Sequence, residues 1–120
     1  MRYIRYKYNN SVEYGILSED NTIQQLNGLP YEYVEHKKTK NSTFLSLGEV
    51  ELLAPCQPGK IIATAINYPG VTGLTEKVSE PLVFIKPSSS VIGHNQTIIS
   101  PFKDTPVWGE SELGIVIGKS

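Results

Sequence analysis

Near the C-terminal end two carboxylates stand two residues apart, in Trp108-Gly109-Glu110-Ser111-Glu112, directly before the apolar run Leu113-Gly114-Ile115-Val116-Ile117 and Gly118. In an extended chain residues i and i+2 project to one face, so Glu110 and Glu112 would share a side of a strand. Two ionised carboxylates so placed repel each other. A hard divalent cation, or a pair of basic side chains, would relieve the repulsion, since Mg²⁺ and Ca²⁺ take oxygen ligands. The plain alternative is a pair of solvated glutamates on an open strand face. Glu49 and Glu51 show the same spacing, so spacing alone does not choose.

Other candidate groups lie at the ends of two further apolar runs. Lys60-Ile61-Ile62-Ala63-Thr64-Ala65-Ile66 is followed by Asn67-Tyr68-Pro69-Gly70. Pro81-Leu82-Val83-Phe84-Ile85 is followed by Lys86-Pro87. Short apolar runs without alternation are expected as strands buried on both faces. Laid side by side, the three runs would bring Asn67, Tyr68, Lys86 and the glutamate pair to one cavity. Such a cavity suits a ligand with two adjacent oxygens, a 2-oxo acid or 1,3-dicarbonyl, whose enolate charge a cation would stabilise. Lys86 would pair with a substrate carboxylate, neutralise the glutamates, or simply cap a strand.

The two histidines offer less. His36 sits among polar residues without a second His or Cys nearby, and His94 lies in a turn-like Gly93-His94-Asn95-Gln96 with no nucleophile elbow beside it. Both read as ordinary surface residues. The single cysteine, Cys56, can form no internal disulfide and lacks metal-ligand spacing.

The elements that position these residues follow from turn signals. In 120 residues, hydrophobic types make up 39% and charged types 19%, while Gly (10), Pro (8) and Tyr (7) are well represented. Short strands and turns are therefore expected rather than long helices. Residues 1–8 alternate aromatic and basic types over part of their length; 12–17 return, with Gly15 as a candidate bulge; 22–26 add a third strand. Residues 31–40 are expected as a short helix, with Pro30 near its start and Lys37, Lys38 and Lys40 near its C-terminal end. Glu49–Leu53 reads as a further strand. The break Pro55-Cys56-Gln57-Pro58-Gly59 separates a small N-terminal β domain, 1–56, from a second region, 57–120.

A formal net charge of −1 with no block of either sign points away from nucleic acid and anionic membranes. No stretch approaches the roughly 20 apolar residues of a membrane span, and residues 1–6 lack an apolar signal region. A cytoplasmic protein is expected. Unpaired apolar strands are an aggregation hazard, so association of the chain with itself or with another chain is expected too, unless its loops cover those edges.

The order Leu53-Ala54-Pro55, Lys60-Ile61-Ile62-Ala63, Asn67-Tyr68, Glu80-Pro81-Leu82-Val83-Phe84-Ile85-Lys86-Pro87-Ser88, then Glu110-Ser111-Glu112-Leu113-Gly114-Ile115-Val116-Ile117-Gly118-Lys119 resembles the fumarylacetoacetate hydrolase family. Residues 1–55 resemble the small β domain that precedes the catalytic core in many bacterial members. The resemblance implies a mainly β (β/α+β) protein: an antiparallel N-terminal domain, then an incomplete mixed β-sandwich or β-roll core. It implies a Mg²⁺ or Mn²⁺ site with Glu110 and Glu112 as ligands, Ca²⁺ being the other hard ion such oxygens suit, and usually a homodimer; Asn67, Tyr68 and Lys86 are the candidate substrate contacts. The family's reactions are hydrolysis of C–C bonds in acylpyruvate-like acids of aromatic catabolism, decarboxylation, and isomerisation of small oxo acids. Two departures stand out. Family hydrolases carry Asn-Tyr-x-x-His, whereas Val71 occupies the His position here and cannot accept a proton. The family's third metal carboxylate falls beyond Ser120. A metal-dependent enzyme, or its N-terminal part, is expected; a truncated or degenerate non-catalytic homologue serving as a β-rich assembly or binding module is the alternative.

Overall fold

A computed structural model of the protein describes residues 2–31, 39–67, 80–100, 102–107 and 109–118. Strands dominate, with helix limited among the described residues to two single 3₁₀ turns. The contacts divide the chain into two units, one of residues 1–56 with 92–120, the other of residues 57–91.

The first unit is built on strands β1 (Arg2–Tyr8), β2 (Ser11–Leu17), β3 (Thr22–Leu26), β4 (Thr39–Ser46) and the two-residue β5 (Glu51–Leu52). They form one sheet in the order β4-β3-β2-β1-β5, antiparallel at every pairing. Local chemistry sets the hairpins. Tyr8 pairs with Ser11, leaving Asn9 and Asn10 as a two-residue loop with φ of 45° and 64°. Positive φ at both central positions is a type I′ turn, which matches strand twist and which asparagine tolerates. Between β2 and β3, the Ser18 N–H donates to the Thr22 carbonyl at 2.9 Å, and the Asp20 carboxylate accepts from the Thr22 N–H at 3.1 Å.

The pairings place alternate residues on a common face. Ile4, Tyr6 and Tyr8 of β1 line up with Leu17 of β2, Ile23 of β3 and Leu45 of β4. Tyr6, Ile23 and Leu45 form the buried centre, with Leu47, Val50 and Leu52 packed around it. Gly15 lies on the same face. It is no bulge, since the β1–β2 register runs through it unbroken and the irregularity falls between Gln24 and Leu26 instead. Its role is steric: a Cβ at Gly15 would stand 2.7 Å from Ile23 Cγ2 and 3.0 Å from the Gln24 carbonyl oxygen.

Several expectations are corrected. Thr39 and Lys40 open β4 and are not the end of a helix; the β-compatible run through Phe44 and Leu45 and the ladder to β3 override helix propensity there. Residues 32–38, with His36 and two of the lysines, lie outside the described residues. Glu49 belongs to a 3₁₀ turn, Leu47–Glu49, and not to a strand. The reason is a capping box: the Ser46 hydroxyl accepts from the Gly48 N–H at 3.4 Å, and the Glu49 carboxylate accepts from the Ser46 N–H at 2.7 Å.

The second unit is a hairpin of β6 (Lys60–Ala65) and β7 (Leu82–Pro87), paired antiparallel from Lys60–Pro87 to Ala65–Leu82, with a 3₁₀ turn at Ser88–Ser90. These strands are not buried on both faces. Ile62 and Ile85, opposite each other, are 65% and 69% exposed. The run 113–117 forms no strand, and Leu113, Ile115 and Ile117 stand open. Burial on both faces needs a further layer on each side, and among the described residues a two-stranded hairpin has none to offer.

Candidate active site

The β6 strand carries the first of the candidate groups at its C-terminal end. Asn67 follows its end, and the side-chain N–H of Asn67 donates to the Thr64 hydroxyl at 3.0 Å. Ile66 between them has φ of 52°, an unusual backbone for a β-branched residue. Tyr68 and Val71 lie outside the described residues. Lys86 sits near the end of β7, opposite Ile61, and its ammonium rests over the Phe84 ring, 5.6 Å from the centroid. That contact joins positions i and i+2 on one strand face and stabilises by about 0.5–1 kcal/mol at an exposed site.

The antiparallel register has a consequence for the expected cavity. The C-terminal ends of β6 and β7 point in opposite directions. Asn67 and Lys86 are thus separated by the length of the hairpin, roughly 15 Å of strand. Within this unit they form two separate contact points, not one cluster.

Glu110 and Glu112 belong to the other unit, in an exposed segment without regular secondary structure. The segment passes Tyr31 at Gly118, where the Tyr31 carbonyl comes so close that no side chain would fit. Tyr31 in turn packs edge-on against Tyr14, with centroids 6.3 Å apart and hydroxyls 3.4 Å apart. The glutamate pair offers anionic oxygen donors of the kind a hard divalent ion takes, but two such ligands leave most of its coordination shell to be filled. Among the described residues no group of three or more His, Cys, Asp or Glu is gathered to hold a metal. The residues present fit the ion in kind and fall short in number.

The Tyr14–Tyr31 pair, which carries no sequence motif, has its own electrostatics. Burial, then the hydrogen bond and proximity of Tyr31, push the Tyr14 phenol up to about 12, partly offset by Arg5, its cross-strand neighbour. A phenol whose folded pKa is raised holds its proton more tightly when folded. Its contribution to stability is therefore complete below the unfolded value near 10 and is lost as pH rises from about 10 through 12. We expect Tyr14→Phe to flatten the alkaline limb of the stability–pH curve, measured by denaturant midpoints. An unchanged limb would show that this pair does not set it.

A family model described as fumarylacetoacetate (FAA) hydrolase, C-terminal, matches residues 60–120, half of the chain, and so takes in Asn67, Lys86, Glu110 and Glu112. The chain belongs to the fumarylacetoacetate hydrolase family. A second model, Rv2993c-like, N-terminal, matches residues 1–55. Among curated relatives of this fumarylacetoacetate hydrolase family protein, the maleylpyruvate hydrolase of Aquipseudomonas alcaligenes is 31% identical over 125 residues, covering 92% of this chain and 43% of that protein. The mitochondrial oxaloacetate tautomerase fahd2 of Xenopus laevis is 39% identical over 83 residues, covering 66% and 26%. The crystal structure of a 5-carboxymethyl-2-hydroxymuconate delta-isomerase from Mycobacterium smegmatis superposes with a TM-score of 0.62 at 23% identity, over 77% of this chain and 35% of that one, a likeness of fold. The chain spans less than half the length of each of these relatives, and about three tenths of a 43% identical protein of Archaeoglobus fulgidus. Among the described residues no helix is long and apolar enough to cross a membrane.

Proposed function

We propose that this chain supplies the N-terminal β domain (1–56) and the first part of the catalytic core (57–120) of a divalent-metal-dependent enzyme. Its substrates would be 2-oxo or 1,3-dicarbonyl carboxylic acids, and its chemistry the stabilisation of enolate charge. The family match over residues 60–120, with Glu110-x-Glu112 inside it, carries this reading. Two curated relatives are named as a maleylpyruvate hydrolase and an oxaloacetate tautomerase, names that support oxo acids as the substrate class.

In this reading Glu110 and Glu112 would hold the ion, Mg²⁺ or Mn²⁺ before Ca²⁺, together with a further carboxylate from outside this chain. A bound divalent ion supplies Lewis-acid polarisation of adjacent carbonyl oxygens. Asn67 and Tyr68 present hydrogen-bonding groups to the oxo acid. Lys86, at the far end of the hairpin, offers a separate point charge for a carboxylate. Val71 in place of a general base favours tautomerisation, isomerisation or decarboxylation over hydrolysis, because those reactions need no water activated at that position. The working protein would be a cytoplasmic homodimer, in which the open faces of β6 and β7 are covered.

Val71 also favours a second reading, a non-catalytic homologue acting as a β-rich assembly or binding module. Oxaloacetate and an acylpyruvate, assayed with Mg²⁺ or Mn²⁺ and again with EDTA, separate the two. Metal-dependent loss of the oxaloacetate enol, with little acylpyruvate hydrolysis, is the expected result. No metal-dependent turnover of either acid by the protein of which this chain supplies the first part would overturn the enzyme reading in favour of the module.

A further inference from the structure

The end of β6 breaks the strand's alternation in a specific way. In a continuing strand Thr64 and Asn67, three residues apart, would point to opposite faces. The left-handed backbone of Ile66, with φ of 52°, reverses the phase and lets the Asn67 amide return to the Thr64 hydroxyl at 3.0 Å. A β-branched residue adopts this conformation only at a steric cost, and strain of this kind gathers at functional sites. Ile66 is also more than a third exposed, so deep packing does not account for its conformation.

The hydrogen bond fixes which way the amide faces. With one N–H held by Thr64, Asn67 retains its carbonyl oxygen, an acceptor, and a second N–H, a donor. We propose that Ile66 and Thr64 are positioning residues: the strained turn and the threonine hydroxyl together hold the Asn67 amide in the one orientation in which it meets the substrate. This role rests on the proposed oxo-acid chemistry of the same strand end. It adds two residues whose types give no sign of it, an isoleucine and a threonine inside an apolar run.

Two substitutions test the device. Thr64→Val keeps the shape and removes the acceptor, while Thr64→Ser keeps the hydroxyl. Hydrogen exchange of the Asn67 side-chain amide, followed by NMR, reads the turn without reference to activity. Mg²⁺ with oxalate, a two-oxygen mimic of an oxo acid, serves as the binding probe, and oxaloacetate as the substrate. Thr64→Val is expected to speed Asn67 amide exchange about fivefold, the factor for one ordinary hydrogen bond, and to weaken oxalate binding and raise KM by a similar factor with kcat less affected. Thr64→Ser should restore both, and Ile66→Gly, which takes the left-handed conformation without steric cost, should keep the amide held and the hairpin folded. Amide exchange that Thr64→Val leaves unchanged overturns the turn, and oxalate binding that persists unmoved when the amide is freed overturns the positioning role. A wild-type protein, containing the whole catalytic core, that binds no oxalate and turns over no oxaloacetate is a different failure: it removes the enzyme reading, and the substrate role of Asn67 with it, whatever the exchange data show.

Discussion

Ile23→Ala is expected to unfold the N-terminal sheet at ambient temperature, or to leave it barely folded. Ile23 is fully buried between Tyr6 and Leu45, and these three side chains are the centre of a one-faced sheet. Truncation to alanine costs about 2–5 kcal/mol when the site cannot collapse. A unit this small has little stability to lose, since domains in general hold only about 5–15 kcal/mol in total. Circular dichroism across a denaturant series reads the midpoint, with Val12→Ala, on a half-exposed strand position, as the control. Equal shifts for the two variants would show that Ile23 is not the core. Gly15→Ala adds a diagnostic. Its new methyl would collide with Ile23 Cγ2, so alone it costs about 1–3 kcal/mol. Combined with Ile23→Ala the worst of these contacts is removed, while the 3.0 Å approach to the Gln24 carbonyl oxygen stays, and the double variant should lose less than the sum of the singles.

The second large effect is expected at the glutamate pair. Glu110→Gln with Glu112→Gln keeps shape and oxygen atoms but removes both charges. A hard divalent ion bound there should lose at least about 100-fold in affinity, since removing mere supporting partners of metal ligands already costs 10–100-fold. Stability should stay within about 0.5 kcal/mol, because both side chains are exposed. Mn²⁺ binding followed by electron paramagnetic resonance distinguishes the cases. Equal Mn²⁺ affinity in wild type and double variant would assign the pair to solvent and remove it from the metal site.

How far the residues announced this arrangement depends on the physics each feature uses. The three-stranded meander was legible because its turns are local: Asn9-Asn10 dictates its own loop, and alternation dictates which face meets Ile23. The run 60–66 and the run 82–87 were legible as strands but not as exposed ones, because burial depends on neighbouring layers and not on the run itself. The helix expected over 31–40 failed at Thr39 and Lys40, where pairing with β3 outweighed local propensity. At the candidate site, the Glu110-x-Glu112 spacing was visible, while the antiparallel register that sends Asn67 and Lys86 apart was not. The left-handed Ile66 had no signal in composition at all; the Thr64-x-x-Asn67 spacing was its faint trace, since short polar side chains three apart close turns.

The strand order β4-β3-β2-β1-β5 also has a meaning in time. The β1 and β2 strands find their next partners across two and four residues, at a low loop-closure cost, and β3 finds β4 across twelve. The β5 strand must instead return across the whole meander, so that Leu52 meets Tyr6 and the Leu53 N–H meets the Arg5 carbonyl. A two-residue ladder secures that return. Among the described pairings it is the least local to close and the shortest to hold, so the edge of β1 is where this sheet assembles last and opens first.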